Sequence, residues 1–199
     1  MASVEEFNVP NLTWLSGNPV TITSSGVYAF QFFATWCPPC MRSIPGLSEL
    51  ARENPNVTFV GVSGEARNAL RSHPTADYPI ACAGDNSTSR TAYMALQSKL
   101  GIRGIPHIVL ISDGQIVFQG HPMDPQFAEK VRELNQRAEQ AKQREAESKL
   151  TPDEVRGLSV RELQVILRRR GVDTTGLLEK QEYVNKVIEV LGLSESGDK

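Results

Sequence analysis

Over the first 120 positions, apolar residues fall into short β-branched and aromatic runs separated by stretches of helical spacing. "VYAFQFF" at 27–33, bounded by Gly26, and "VTFVGVS" at 57–63 are continuous apolar runs of the kind that form buried strands. Between them Ile44, Leu47 and Leu50 recur at helical spacing over 38–53, so the order strand, helix, strand predicts a βαβ unit with a parallel pair. Helical spacing returns over 64–73 and 87–100. "HIVLIS" and "QIVFQG" flank the turn dipeptide Asp113-Gly114 and predict a hairpin ending near Gly120. The whole pattern is that of an α/β sandwich.

From Asp124 the texture changes. Asp124 is placed to cap a helix with Pro125 at its first position, and residues 126–149 then run without glycine or proline. The stretch "NQRAEQAKQREAESK" is almost wholly polar with balanced charge and predicts a solvated helical spacer, roughly 37 Å long over the whole helix. Beyond it Thr151, Pro152 and Glu154, then Ser159 and Glu162, form two capping boxes. Val160, Leu163, Ile166 and Leu167 make one apolar face, and Tyr183, Val184, Val187, Ile188 and Leu191 a second, with Gly171 and Gly176 in the loop between. The expected organisation is 1–123, an α/β domain; 124–150, its last helix continuing as a charged linker; 151–192, a small all-α helix-loop-helix domain; and 193–199, a disordered tail.

Composition narrows the function classes. The 199 residues are 40% hydrophobic, enough for a real core, and the net charge of -2 gives no global pull toward nucleic acid or an anionic membrane. "MASVEEFNVP" lacks the basic start and apolar run of a leader, and no apolar stretch approaches a membrane span. A soluble, unexported monomer is expected, in the cytoplasm or, as the alternative, the nucleus. Three cysteines do not make a disulfide-stapled framework, so a close pair points to redox or metal chemistry.

That pair stands in "FFATWCPPCMRSIP", residues 32–45. With a helix starting at the motif, Cys37 sits at its N-terminus, where unpaired amides and the helix dipole favour a thiolate, and Cys40 follows one turn later on the same face, more buried and within disulfide reach. Pro38 and Pro39 fall in the first turn, where their missing N–H groups have no partner to lose; Pro45 falls inside the helix, where it bends the axis. Cys37 then serves as nucleophile and Cys40 as resolving thiol in disulfide exchange, with the dithiol itself as reagent and no organic cofactor or metal. Zinc binding is the alternative, with Cys82, His73, His107 and His121 as the remaining ligands, though without a second paired motif. A redox-inactive scaffold is a third reading. Cys82 reads as a small buried hydrophobe, and His73 and His121 as loop residues.

"FFATWCPPC", Pro45 and "GIRGIPHIVLISDGQIVFQG" resemble the thioredoxin superfamily, most of all its TlpA and ResA type of thiol-disulfide oxidoreductases; "WLSGNPV" and "GHPMDP" add to the likeness, which covers roughly residues 10–135. The resemblance implies a central mixed sheet flanked by helices. It also implies a cis-proline turn at Ile105-Pro106 facing the cysteines, with the Ile105 backbone pairing to an extended client, and Trp36 shielding the disulfide. Clients would be disulfide-containing proteins, served by a separate electron donor. Two positions depart from the family: Gln31 and Ser43 stand where thioredoxins and TlpA-like proteins, respectively, carry a carboxylate, so the base for Cys40 is missing and resolution is expected to be slow. His107 replaces a common threonine and is placed to tune the thiols.

Residues 158–191 resemble a SAP module, a helix-loop-helix hairpin that binds DNA or RNA; "GLLEK" also resembles SAP-like hairpins of the MANF and MESD group and of some ubiquitin ligases, which contact proteins. Arg168, Arg169 and Arg170, with Arg161, Lys180 and Lys186, are the candidate contacts to phosphate or to a partner. Residues 151–199 hold eight Lys or Arg against nine Asp or Glu, a balance that weakens the nucleic-acid reading. The oxidoreductase expectation therefore stands beside a second one, a non-catalytic adaptor whose helical hairpin carries the function.

Overall fold

A computed structural model describes residues 12–71 and 76–193. The chain divides into two compact units, 1–138 and 139–199. The boundary falls inside one helix, Pro125–Ser148.

The first unit is built on a six-stranded mixed sheet. In chain order it comprises β1 (Thr13–Ser16), β2 (Val27–Phe33), α1 (Pro38–Glu53), β3 (Thr58–Ser63), α2 (Arg67–Leu70), β4 (Ile80–Cys82), α3 (Ser87–Lys99), β5 (His107–Ser112), β6 (Gln115–Gly120) and the start of α4 (Pro125–Ser148). The strand order is β1-β4-β3-β2-β5-β6. β2, β3 and β4 run parallel, whereas β5 pairs antiparallel with β2 and β6, and β1 antiparallel with β4.

β2 lies at the centre and all seven of its residues are buried, because both faces of the sheet are covered. Val27, Ala29 and Phe33 join Ile44 and Leu47 of α1 and Phe127 and Val131 of α4 on one face. Tyr28, Phe30 and Phe32 join Tyr93 and Leu96 of α3 on the other. The two-residue period of the strand thus assigns its side chains to two separate cores.

Local chemistry sets the element ends. Asp124 Oδ1 accepts the Gln126 N–H at 2.9 Å at the start of α4, as its position predicts. Asp113 and Gly114 both adopt positive φ, 50° and 72°, the backbone that a two-residue hairpin requires. α1 is continuous through Pro45.

Three features differ from the sequence pattern. Helix over 64–73 reduces to Arg67–Leu70, because Glu65 is drawn into side-chain bonds with Thr35 and Ser63, and residues 72–75 lie outside the described chain. β1 and β4, four and three residues long, carry no pattern of their own and exist as partners of each other and of β3. Val160 is exposed, the face of its helix being made by Leu163, Ile166 and Leu167.

In the second unit, α5 (Pro152–Gly157) and α6 (Val160–Arg169) each open with the capping box read from the sequence, and α7 (Lys180–Leu191) closes on Gly192 at φ 65°. Val155, Leu163, Ile166, Leu167, Tyr183, Val184 and Val187 form its core. The polar end of α4 is not wholly solvated: Glu147 is buried and accepts from Arg169 at 3.1 Å and Arg170 at 3.4 Å. The expected disordered tail, apart from residue 193, lies outside the described residues, as does the N-terminal decapeptide. No described helix is long and apolar enough to cross a membrane.

Candidate active site

The site forms where β2 leads into α1. Cys37 is the N-cap of α1, extended at φ -101° and ψ 96°, and its N–H is bonded to the Ala34 carbonyl at 3.2 Å. Pro38 and Pro39 occupy the first two helical positions. Neither has an N–H, so the first donor available to Cys37 Sγ is the amide of Cys40, which reaches it at 3.2 Å. Cys37 and Cys40 are joined in a disulfide with their Cα atoms 5.3 Å apart. Both are nearly or fully buried, Cys37 at 4% and Cys40 at 0% exposure.

The opposite wall is the loop before β5. Its Ile105–Pro106 peptide bond is cis, and the Ile105 carbonyl oxygen lies 3.7 Å from Cys37 Sγ. Trp36 projects beside the disulfide at 72% exposure and is no part of the core.

Beneath Cys40 the two departures from the family pattern meet. Gln31 and Ser43 are fully buried, and the Gln31 amide donates to Ser43 Oγ at 3.0 Å. Ser43 in turn donates to the Cys40 carbonyl at 2.7 Å, and the Tyr78 hydroxyl donates to Gln31 Oε1 at 2.7 Å. Burial pushes the Tyr78 phenol far above its ordinary value, so it remains a proton donor. The result is a neutral chain, Tyr78 to Gln31 to Ser43 to Cys40, whose donors all point toward the Cys40 backbone.

A carboxylate does stand near the site, but beside the loop. Glu65 accepts from the Thr35 amide at 2.6 Å and the Thr35 hydroxyl at 2.8 Å, while Ser63 Oγ lies 3.2 Å away. Gly84 lets this clamp close: a Cβ there would strike the Glu65 and Ala66 backbone, and its amide bonds the Glu65 carbonyl at 3.1 Å. Glu65 follows the C-terminal end of a parallel strand, where α/β sites gather, and that position is the signal by which sequence reasoning could have found it. Tyr78, in an irregular segment, carries no comparable signal.

The remaining expected residues are dispersed. His107 lies partly buried just past Pro106; its Nε2 is enclosed without a hydrogen-bond partner, and burial lowers its pKa, keeping the ring neutral. Cys82 is a free buried thiol 3.7 Å from Asp85 Oδ2, and burial first, then Asp85, push it up. His121 is exposed and its Nδ1 accepts from the Met123 amide at 3.1 Å, while His73 lies outside the described residues. Among the described residues no three potential metal ligands cluster. Of the C-terminal cations, Arg169 and Arg170 hold Glu147, Lys186 holds Glu189 at 2.9 Å, and Arg161, Arg168 and Lys180 are exposed.

A disulfide across the first turn of a helix, faced by a cis-proline loop on a mixed sheet, defines a thioredoxin-like redox domain. Residues 26–117 match the family model described as thioredoxin-like. Thioredoxin Asp f 28 of Aspergillus fumigatus is 31% identical over 101 residues, spanning 49% of this chain and 69% of that one. The chain belongs to the thioredoxin superfamily. The soluble secreted antigen MPT53 of Mycobacterium tuberculosis is 46% identical over 56 residues, 27% of this chain and 32% of its own. Among solved structures, tryparedoxin II from C. fasciculata is similar at a TM-score of 0.48 and 19% identity, covering 62% of this chain and 89% of that one. Residues 150–191 match a model described as an E3 ubiquitin-protein ligase rififylin-like domain.

The neutral His107 makes stability depend on pH. Burial holds its folded pKa below the ordinary histidine value of about 6.5, so the unfolded chain takes up this proton first and stability falls as pH drops below about 6.5. Chemical denaturation at pH 7.5 and 5.5 is expected to show a drop that His107→Thr reduces; equal drops in both proteins would refute the assignment.

Proposed function

We propose that this chain is a protein thiol-disulfide oxidoreductase, with Cys37 as nucleophile and Cys40 as resolving thiol. The observation that carries the reading is the Cys37–Cys40 disulfide at the helix cap, with the Cys40 amide aimed at Cys37 Sγ. In the reduced protein that amide and the helix N-terminus stabilise a Cys37 thiolate. The thiolate attacks one sulfur of a client disulfide, forming a mixed disulfide and expelling the client's other sulfur, which takes a proton from water. Cys40 then loses its proton, attacks Cys37 Sγ and expels the second client thiol, leaving Cys37–Cys40 oxidised and the client reduced by two electrons. An external dithiol restores the reduced state, and oxidation of a client runs the same bonds in reverse.

The Ile105 backbone, 3.7 Å from Cys37 through its carbonyl, offers an extended client a backbone partner, and Trp36 gives it an exposed aromatic surface. Among the described residues the side chains beneath Cys40 are the neutral Ser43, Gln31 and Tyr78, so the resolving proton leaves to water. Resolution is then the slow, pH-limited step of the cycle.

For the C-terminal unit we propose docking of a protein segment rather than nucleic acid. Two of the three consecutive arginines are bound to Glu147, which weakens a phosphate-binding face. The ends of α4 and α6 instead flank a groove with apolar Leu150, Leu158, Val165 and Ile166, and Arg161 at its rim, suited to an apolar segment carrying an acidic side chain.

With insulin as client, the wild type is expected to reduce the disulfides, while Cys40→Ser accumulates an adduct through Cys37 detectable by mass spectrometry. No reduction and no adduct would end the enzymatic reading. Gln31→Glu, which places a carboxylate under Cys40, is expected to speed resolution at neutral pH about tenfold or more and to add an inflection to its pH profile, followed by stopped-flow tryptophan fluorescence. An unchanged profile would show that the resolving proton does not pass this way. For the second unit, labelled DNA and RNA oligonucleotides are expected to show no salt-dependent affinity for the full chain; tight binding with a steep salt slope would reverse the assignment.

A further inference from the structure

The oxidoreductase reading leaves open which clients the site prefers, and the groove beside the disulfide bears on that choice. A cavity of about 390 Å³ opens between Trp36 on the cysteine loop and Ile102, Arg103 and Ile105 on the cis-proline loop, with Glu65 and Gln97 on its other walls. Two of its lining residues neighbour the reacting cysteine: Trp36 precedes Cys37 in the chain, and the Ile105 carbonyl lies 3.7 Å from Cys37 Sγ. Its apolar surfaces accept the side chain of an extended segment.

Two charged side chains line this groove, and they are not equivalent. Glu65 directs one oxygen at the Thr35 amide and the other at the Thr35 hydroxyl, so its charge is committed to the cysteine loop. Arg103 is exposed and has no ion-pair partner among the described residues. Its backbone is well anchored. The Ile102 amide bonds the Gln97 carbonyl at 2.9 Å, the Gly101 amide bonds Ser98 at 3.1 Å, and the Leu100 carbonyl accepts from Gln119 at 2.8 Å. The neighbouring His107 is held neutral by burial, so it adds no competing charge at neutral pH.

We propose that Arg103 is a specificity-determining residue that selects clients carrying an acidic side chain next to the reactive cysteine. A client strand that meets the Ile105 backbone runs along the loop that carries Arg103 two residues earlier, and a carboxylate flanking its cysteine meets the free guanidinium. A lysine there meets like charge instead. The preference is electrostatic and partly exposed to solvent, so it is modest and sensitive to salt.

This inference rests on the oxidoreductase reading, and one experiment separates their failures. The full chain is reduced with dithiothreitol, freed of excess reagent, and mixed in a single turnover with two disulfide-bonded peptide pairs that differ only in Glu or Lys on either side of the cysteine. The wild type is expected to react about three- to tenfold faster with the glutamate peptide at low ionic strength, with the ratio approaching one in high salt. Arg103→Glu inverts the ratio and Arg103→Gln brings it close to one. A ratio of one in the wild type, a preference for lysine, or a ratio that Arg103→Glu leaves unchanged would overturn the assignment while leaving the enzyme reading intact. Reduction of neither peptide would overturn both.

Discussion

An amide side chain on a strand buried on both faces must find all its hydrogen bonds inside the protein, and Gln31 sets that requirement here. Its donor goes to Ser43 and its acceptor is met by Tyr78, so the central strand, the active-site helix and the segment before β4 are joined through one residue. The arrangement fixes the rotation of α1, because Ser43 must face β2 for the chain to close. With Ser43 in place, Cys40, one turn earlier on the same face, is buried and its carbonyl takes the last bond. Replacing one of these groups by an apolar one strands the others, at about 1–3 kcal/mol for each buried group left unpaired.

Charge around the dithiol is accordingly sorted by depth. A carboxylate at position 31 would have no cation beside it among the described residues and would be driven to take up a proton, such as that of Cys40, whereas an amide is satisfied by neutral partners. The negative charge that the site does hold, on Glu65, sits beside the loop and is spent on the Thr35 amide and hydroxyl. For the thiolate proposed at Cys37, backbone amides, the Cys40 N–H above all, would supply the electrostatic support without burying a countercharge beside it.

The sequence revealed what is periodic or has a spacing of its own. The central strands, the hairpin turn, the helix that begins at the cysteines and both capping boxes follow from apolar period and residue chemistry, and so did the placing of Cys37, Pro38 and Pro39 in the first turn. What was not legible depends on partners far along the chain. β1 and β4 are too short to carry a pattern and are defined by the edges they pair with. Glu65 and Tyr78 reach the site across 30 and 47 residues, so no window of sequence contains the contact. The partner of the arginine run was illegible for the same reason: Glu147, which engages Arg169 and Arg170, lies 22 and 23 residues earlier.

That engagement changes what kind of surface the second unit presents. One buried carboxylate holds two guanidinium groups and neutralises one of their two charges, and the fork geometry of arginine suits such anchoring better than lysine would. With Arg169 and Arg170 paired though still partly exposed, the groove itself presents the partly exposed Val165 and the exposed Arg161 beside it. A groove that mixes apolar side chains with charges of both signs would, as a docking site, discriminate by fit, whereas a row of free cations would take any polyanion. In both units, then, a carboxylate near the groove is tied down by protein groups, Glu65 by Thr35 and Glu147 by two arginines, while Arg103 and Arg161 line the grooves with no ion-pair partner among the described residues.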